Sequence, residues 1–199
     1  MNSAKAFFAA IVAAALLSGC AAGQILGTAD PDRKIEEAYS HLDGLRPLAA
    51  EPLIRESLEA YKRRGDQAGL AEAHRAYGFF FRSQAVEKWQ QHYEAVGFQD
   101  RTATFKNRYE KSAENFEESA RLLAKSGQYD RLTNVYANLG FSYEVAGKGD
   151  KACEAYRASL EANRRFTKDT PGVAVTLPQG FAGTYEEYIR GFLERLECK

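Results

Sequence analysis

Net charge, histidine and proline are scarce in this 199-residue chain. Its 27 Lys+Arg balance 27 Asp+Glu. A neutral chain lacks the basic surface whose counter-ion release drives nucleic-acid binding, so no nucleic acid is expected as partner. The three histidines, His41, His74 and His92, fall on separate expected helices. None has the H-x-x-x-H spacing that puts two ligands of one metal on a helix face. His74 reads as a packed residue of its helix. Ala146-Gly147-Lys148-Gly149 lacks the G-x-x-x-x-G-K-[ST] spacing and the preceding strand of a phosphate loop. No grouping of Ser, His and Asp is recognisable. Acidic pairs such as Glu36-Glu37, Glu117-Glu118 and Glu186-Glu187 read as solvated helix faces. No enzymatic activity, cofactor or metal is therefore expected. Five prolines and no low-complexity tract argue against disorder.

Long apolar runs are missing too, with one exception at the start. Lys5 is followed by an uncharged stretch from Ala6 to Leu17. At about a dozen residues it is shorter than the roughly 20 that span a bilayer. A positive start, a short apolar core and small residues before a cut site describe an export signal. The stretch ends in Leu17-Ser18-Gly19-Cys20, which resembles the lipobox of bacterial lipoproteins. The resemblance implies cleavage before Cys20, acylation of its thiol (palmitate being a usual chain), and a mature protein anchored by two or three acyl chains. Such an anchor holds where a single chain is only marginal. By the sorting rule of enteric bacteria, Ala21 rather than Asp after the lipidated cysteine implies an outer-membrane lipoprotein facing the periplasm. Residues 20–30 would be the tether, and 31–199 the folded domain. Loss of a leader ending at Gly19 removes Lys5 and no acid, for a net charge of −1. With Cys20 acylated, Cys153 and Cys198 are left in an oxidising compartment, either to form a disulfide or to stay as thiols.

The body of the chain reads as all-α. After Pro31 only Pro47 and Pro52 precede Arg165, and no segment alternates as a strand would. Apolar residues recur every three or four positions, on one helical face. One stripe is Leu53, Ile54, Leu58 and Tyr61. Another is Tyr77, Phe81, Ala85, Trp89 and Tyr93. A third is Phe105, Tyr109, Ala113, Phe116, Ala120 and Leu123. An internal repeat is also visible. Glu59–Gly78 aligns with Arg121–Gly140, setting Gly65 on Gly127, Leu70 on Leu132 and Gly78 on Gly140. The first glycine of each would end a helix, and the second would let a neighbouring helix approach closely.

The segment from Thr133 to Phe166 resembles one tetratricopeptide (TPR) repeat. Tyr136, Leu139-Gly140 and Tyr143 stand at the signature positions of the first helix; Ala152, Tyr156 and Ser159 stand at those of the second. The turn at 146–150 lies between them, and Arg164 replaces the closing proline. An earlier repeat matches through His74, Tyr77-Gly78 and Phe81 in its first helix only. Its second-helix small residue, Ala113, comes 35 positions after Gly78, against 12 from Gly140 to Ala152. Because the stripes continue through this insert, the reading is an elongated helical hairpin. Its tip would be near Val96–Gln99, with Asp100 capping the returning helix. The expected fold is a short TPR-like array of antiparallel helix pairs, about 32–65, 66–126 and 130–166, with one pair elongated. Thr184 to Glu187 opens as a capping box, and a capping helix over about 184–197 would cover the open end.

The TPR resemblance implies a binding module whose first helices line a concave groove for a protein or peptide partner in the cell envelope. Groove positions would be Arg75, Phe79 and Arg82 in the elongated repeat. In the last repeat they would be Asn134, Ala137, Asn138, Phe141 and Glu144. Asparagines can clasp a peptide backbone, phenylalanines offer apolar contact, and arginines can take a carboxylate. Phe79 and Phe80 have the alternative of packing inside. The Lys and Asn pattern of chaperone-binding TPRs is not reproduced. The leading expectation is a membrane-anchored adaptor or scaffold. The alternative is a lipoprotein with a small-ligand or enzymatic pocket between the elongated hairpin and the 170–183 segment.

Overall fold

The computed structural model describes residues 29–178 and 180–199. The expected leader, the lipidation site Cys20 and the tether as far as Thr28 lie outside the described residues. What is described is all-α: helices joined by turns and irregular segments, without a strand among the described residues. No described helix is long and apolar enough to cross a membrane.

The chain is an array of antiparallel helix pairs. The first pair is α1 (Pro31–Asp43) and α2 (Pro47–Arg64), each opening on a proline in its first turn. There the missing N–H costs nothing, because it would have no intrahelical partner. The second pair is α3 (Gln67–Phe81) with α6 (Arg108–Lys125); between them lie two short helices, α4 (Gln84–Lys88) and α5 (Gln90–Ala95). The third pair is α7 (Tyr129–Val145) and α8 (Gly149–Asp169), followed by α9 (Tyr185–Arg195). Thr184 and Glu187 cap α9 reciprocally, the full capping box. Gly65 and Gly127, aligned by the repeat, both sit at φ +66°, where side chains are strained, and each turns the chain between helices.

One device recurs in all three pairs. A buried serine of the second helix donates its hydroxyl to a backbone carbonyl of the first. Ser57 bonds Pro31 O at 3.0 Å, Ser119 bonds Ala71 O at 2.8 Å and Ser159 bonds Thr133 O at 2.7 Å. The bonded residues are 26, 48 and 26 positions apart. The pairs thus share one register, and the second carries 22 extra residues (48 less 26). Ser112, not Ala113, is therefore the counterpart of Ala152; its hydroxyl donates to Gly78 O at 2.7 Å.

The elongated hairpin is not formed, and this corrects the sequence reading. α3 stops at Phe81, and Ser83 starts a new helix, its Oγ accepting from Val86 N at 3.2 Å while donating to Phe80 O at 2.8 Å. Residues 96–107 are irregular, and α6 begins only at Arg108. Asp100 caps a turn instead, accepting from Thr102 N at 2.9 Å. The reason is aromatic burial. Phe80, Phe81, Tyr93 and Phe98 form one ring cluster, with Tyr93 stacked on Phe98 at 4.1 Å and Phe81 against Phe98 at 5.3 Å. All four are essentially buried, together with Ile54 and Ala50 of α2. Each large side chain removed from water is worth roughly 1.5–3 kcal/mol. Two projecting helices would leave these rings exposed, so the insert folds back over the first pair.

α2 holds the insert through a buried carboxylate. Glu51, 3 % exposed, accepts from Tyr77 Oη at 3.0 Å and from Gln99 N at 2.8 Å, while Arg55 donates to Gln99 O at 2.6 Å. Burial pushes the Glu51 pKa above the usual glutamate value of 4.5, outweighing these hydrogen bonds. A raised acid pKa stabilises the fold below the unfolded-state value, and that contribution is lost as pH rises through the folded value. Glu51→Gln keeps an acceptor without the charge. Its stability in urea should therefore gain on wild type as pH climbs above 4.5. Glu51→Ala leaves the buried Tyr77 hydroxyl and the part-buried Gln99 N–H without their acceptor and should cost about 1–3 kcal/mol. A Glu51→Gln variant whose loss against wild type grows with pH would count against this account.

Candidate functional site

The helices that come first in each pair put their side faces along one concave surface. Arg75, Phe79 and Arg82 are spaced by four and three residues on α3 and its C-cap. Asn134, Ala137, Asn138 and Phe141 share one face of α7, and α1 contributes Tyr39, Leu42 and Asp43. Two further walls come from later in the chain: residues 176–178, and Tyr185, Tyr188 and Phe192 of α9. Apart from Arg75, these residues line a half-open cavity of about 810 Å³. A neighbouring cavity of about 380 Å³ holds Arg75, Asp130, Arg131, Asn134 and Phe166 against residues 174–176. Asn134 and Thr176 border both, so the irregular 174–178 segment crosses the concave face and divides it. Along it, half-buried Val175 and Leu177 alternate with exposed neighbours.

All six of Arg75, Phe79, Arg82, Asn134, Asn138 and Phe141 thus line one or other cavity, but the two arginines differ in state. Arg75 donates twice to Glu72, from Nε at 2.9 Å and Nη2 at 2.7 Å. Arg131 reaches the same carboxylate at 2.6 Å. Burial alone would raise the Glu72 pKa; the two guanidiniums outweigh it and hold the carboxyl below the usual range. Arg75 is therefore committed within its own helix and sits in the smaller cavity.

Arg82 has no carboxylate within ion-pair distance among the described residues. Residues 1–28 contain no Asp or Glu that could supply one. Its guanidinium lies 4.8 Å from the Phe141 ring centroid, 4.9 Å from Phe79 and 5.3 Å from Phe116. It donates to Asn138 Oδ1, and Asn138 Nδ2 donates in turn to Asn134 O at 2.8 Å and Asn134 Oδ1 at 3.0 Å. Burial draws the Arg82 pKa down from 12.5 to about 10, which leaves it charged at neutral pH. Among the described residues it is the only cation lining the larger cavity, and Asp43 is the only anion.

One expectation is corrected here. Glu144 does not face the groove; it accepts from Tyr156 Oη at 2.9 Å and from Arg195 at 2.6 Å, tying α7 to α8 and α9. Phe80 is wholly buried under the insert, whereas Phe79 lines the cavity with its ring 5.1 Å from Phe116. His74 is half-buried, with Nδ1 2.9 Å from Asn115 Oδ1. Cys153 and Cys198 are disulfide-bonded, their Cα atoms 5.7 Å apart. The aromatic wall of Tyr185, Tyr188 and Phe192 escapes sequence reasoning. Its spacing marks a helix face but not what that face covers. Beyond covering α8, with Phe192 stacked on Tyr156 at 4.9 Å, α9 turns these rings toward the concave surface.

The site has an apolar, aromatic lining with few polar groups converging on it. It can hold a ligand by contact, by one cation and by amide hydrogen bonds. Among the described residues no three His, Cys, Asp or Glu side chains gather as a metal site. No family model, no curated protein and no solved structure matches this chain.

Proposed function

We propose that the protein is a membrane-anchored, TPR-like adaptor that binds a segment of a protein partner on its concave face at the bacterial cell envelope, without catalysis. The anchor is the acylated Cys20 of the lipobox-like Leu17–Cys20 sequence, on the outer membrane facing the periplasm. The supporting observation is the convergence of Phe79, Arg82, Asn134, Asn138 and Phe141, from two helices, on one aromatic-walled cavity. Phe141 is 40 % exposed there, an apolar surface that a partner can cover.

A second reading, a compact ligand in place of a protein segment, is favoured by one feature. Residues 174–178 divide the concave face, and the larger part, about 810 Å³, falls in the size range of small-molecule sites. An adaptor needs the segment to yield or the partner to enter beside it. The segment can yield: the backbone of 174–177 makes no hydrogen bond among the described residues.

The test is a cross-linked pull-down from membranes. The double variant Phe79→Ala, Asn138→Ala should lose the partners that wild type and a control, Lys62→Ala in α2, both retain. Cys20→Ser should move the protein out of the membrane fraction. Identical partner sets for the double variant and wild type would refute the groove, and an unmoved Cys20→Ser protein would refute the anchor.

A further inference from the structure

Among the described residues that line the larger cavity, Arg82 is a cation without a carboxylate partner, and it specifies what the partner brings. We infer that Arg82 is the receptor for a single carboxylate of the partner, an Asp or Glu flanked by large apolar residues that seat among Phe79, Phe141, Tyr188 and Phe192. This rests on the reading of the concave face as a peptide-binding site.

The argument is one of charge complementarity. A guanidinium has five N–H donors. Arg82 uses one on Asn138, and no other protein acceptor meets the rest among the described residues. Desolvating a cation without a counter-ion costs free energy that three aromatic faces offset only in part. Arg75 shows the alternative seven residues earlier, with its charge matched by Glu72. A carboxylate entering beside Arg82 meets a planar fork that it can engage bidentately. The charge number is set by the lining. Arg82 has no carboxylate within ion-pair distance among the described residues, so one carboxylate completes it, whereas Asp43 on the same wall opposes a dianion such as a phosphate monoester. The flanking residues follow from the rings: Tyr188 and Phe192 are 5.0 Å apart edge to face, and Phe79 and Phe141 both border the guanidinium. Beside the carboxylate, Asn134 and Asn138 can bond the peptide backbone.

The experiment selects from a random seven-residue peptide library on the intact protein and on Arg82→Gln. Wild type should enrich peptides with an Asp or Glu beside a large apolar residue, and Arg82→Gln should lose that acidic position. In the best peptide, changing the acid to its amide should weaken binding to wild type about tenfold or more, and leave binding to Arg82→Gln unchanged. Thermal unfolding separates this role from a structural one. Arg82→Gln keeps a donor for Asn138 and sheds a desolvated charge, so it should unfold no lower than wild type. Arg82 acting as a ring-stacking strut would instead lower its midpoint. Enrichment without an acidic position would overturn the role of Arg82 and leave the groove standing. No enrichment on either protein, with or without binding of decanoate as a compact free acid, would overturn both.

Discussion

Gly140→Val should lower stability by about 3 kcal/mol or more, the upper end of what overpacking a closed core costs. For a domain of this size that is roughly 6–12 °C in Tm. A Cβ at Gly140 would stand 2.6 Å from the Tyr156 ring, and that ring has nowhere to go. It is fully buried, stacked on Phe192 and hydrogen-bonded through its hydroxyl to Glu144. Gly78 stands in the same relation to the buried Phe116 ring, at 2.8 Å. Gly191→Ala is the control. It lies within α9, where an added Cβ meets nothing within 4 Å. The better helix former should raise stability there by about 0.5–1 kcal/mol. Urea denaturation of the three proteins checks the pair of signs. A Gly140→Val protein as stable as wild type would mean that α7 and α8 can separate without cost.

Removing the disulfide by Cys198→Ser should cost about 2–4 kcal/mol. The bridge joins residues 45 positions apart, so its loss frees a long loop in the unfolded chain. The damage should be local first. Only Ile189 of α9 is fully buried, and Cys198 fixes the far end of the helix to α8. Its other ties include the Arg195–Glu144 pair, the Phe192–Tyr156 stack and the hydroxyl contacts of Tyr185 with Ser159 and Thr133 O. Hydrogen exchange should accelerate in α9 well before α7 and α8, and reducing agent should reproduce the effect in wild type. Because Tyr185, Tyr188 and Phe192 go with α9, the larger cavity loses one wall. Unchanged exchange in α9, with unchanged overall stability, would show that packing alone holds it.

Helix content and pair boundaries were legible in the sequence, because each rests on local chemistry; of the groove positions, Glu144 was misplaced. The glycine alignment carried both the left-handed turns at Gly65 and Gly127 and the close approaches at Gly78 and Gly140. The insert was misread for an instructive reason. Tyr77, Phe81, Ala85 and Tyr93 keep a four-residue period and are all buried, yet they lie on three different helices. Periodicity reported burial on a common side, not continuity of one helix, and Trp89, the exception, is more than a third exposed. The break lay in Ser83, a capping residue whose preference shows only when its hydroxyl has a free N–H to accept from. The division of labour between Arg75 and Arg82 was not legible either. Glu72 stands three residues before Arg75, but that the pair closes, and that Arg82 meets rings instead of acids, depends on helices far apart in sequence.

α3 is the wall common to two cores. Ala73, Ala76, Tyr77, Phe80 and Phe81 face the core of the first pair and the insert, whereas Ala71 and Phe79 face that of α6 to α9. A repeat array usually behaves as a row of units that can be lengthened, shortened or frayed from an end. Here the insert after α3 is latched onto the units before it, while α3 itself is clasped by those after it. The molecule is closed in that direction: it has an arch's keystone and not a chain's link, and its middle cannot loosen without both halves feeling the release.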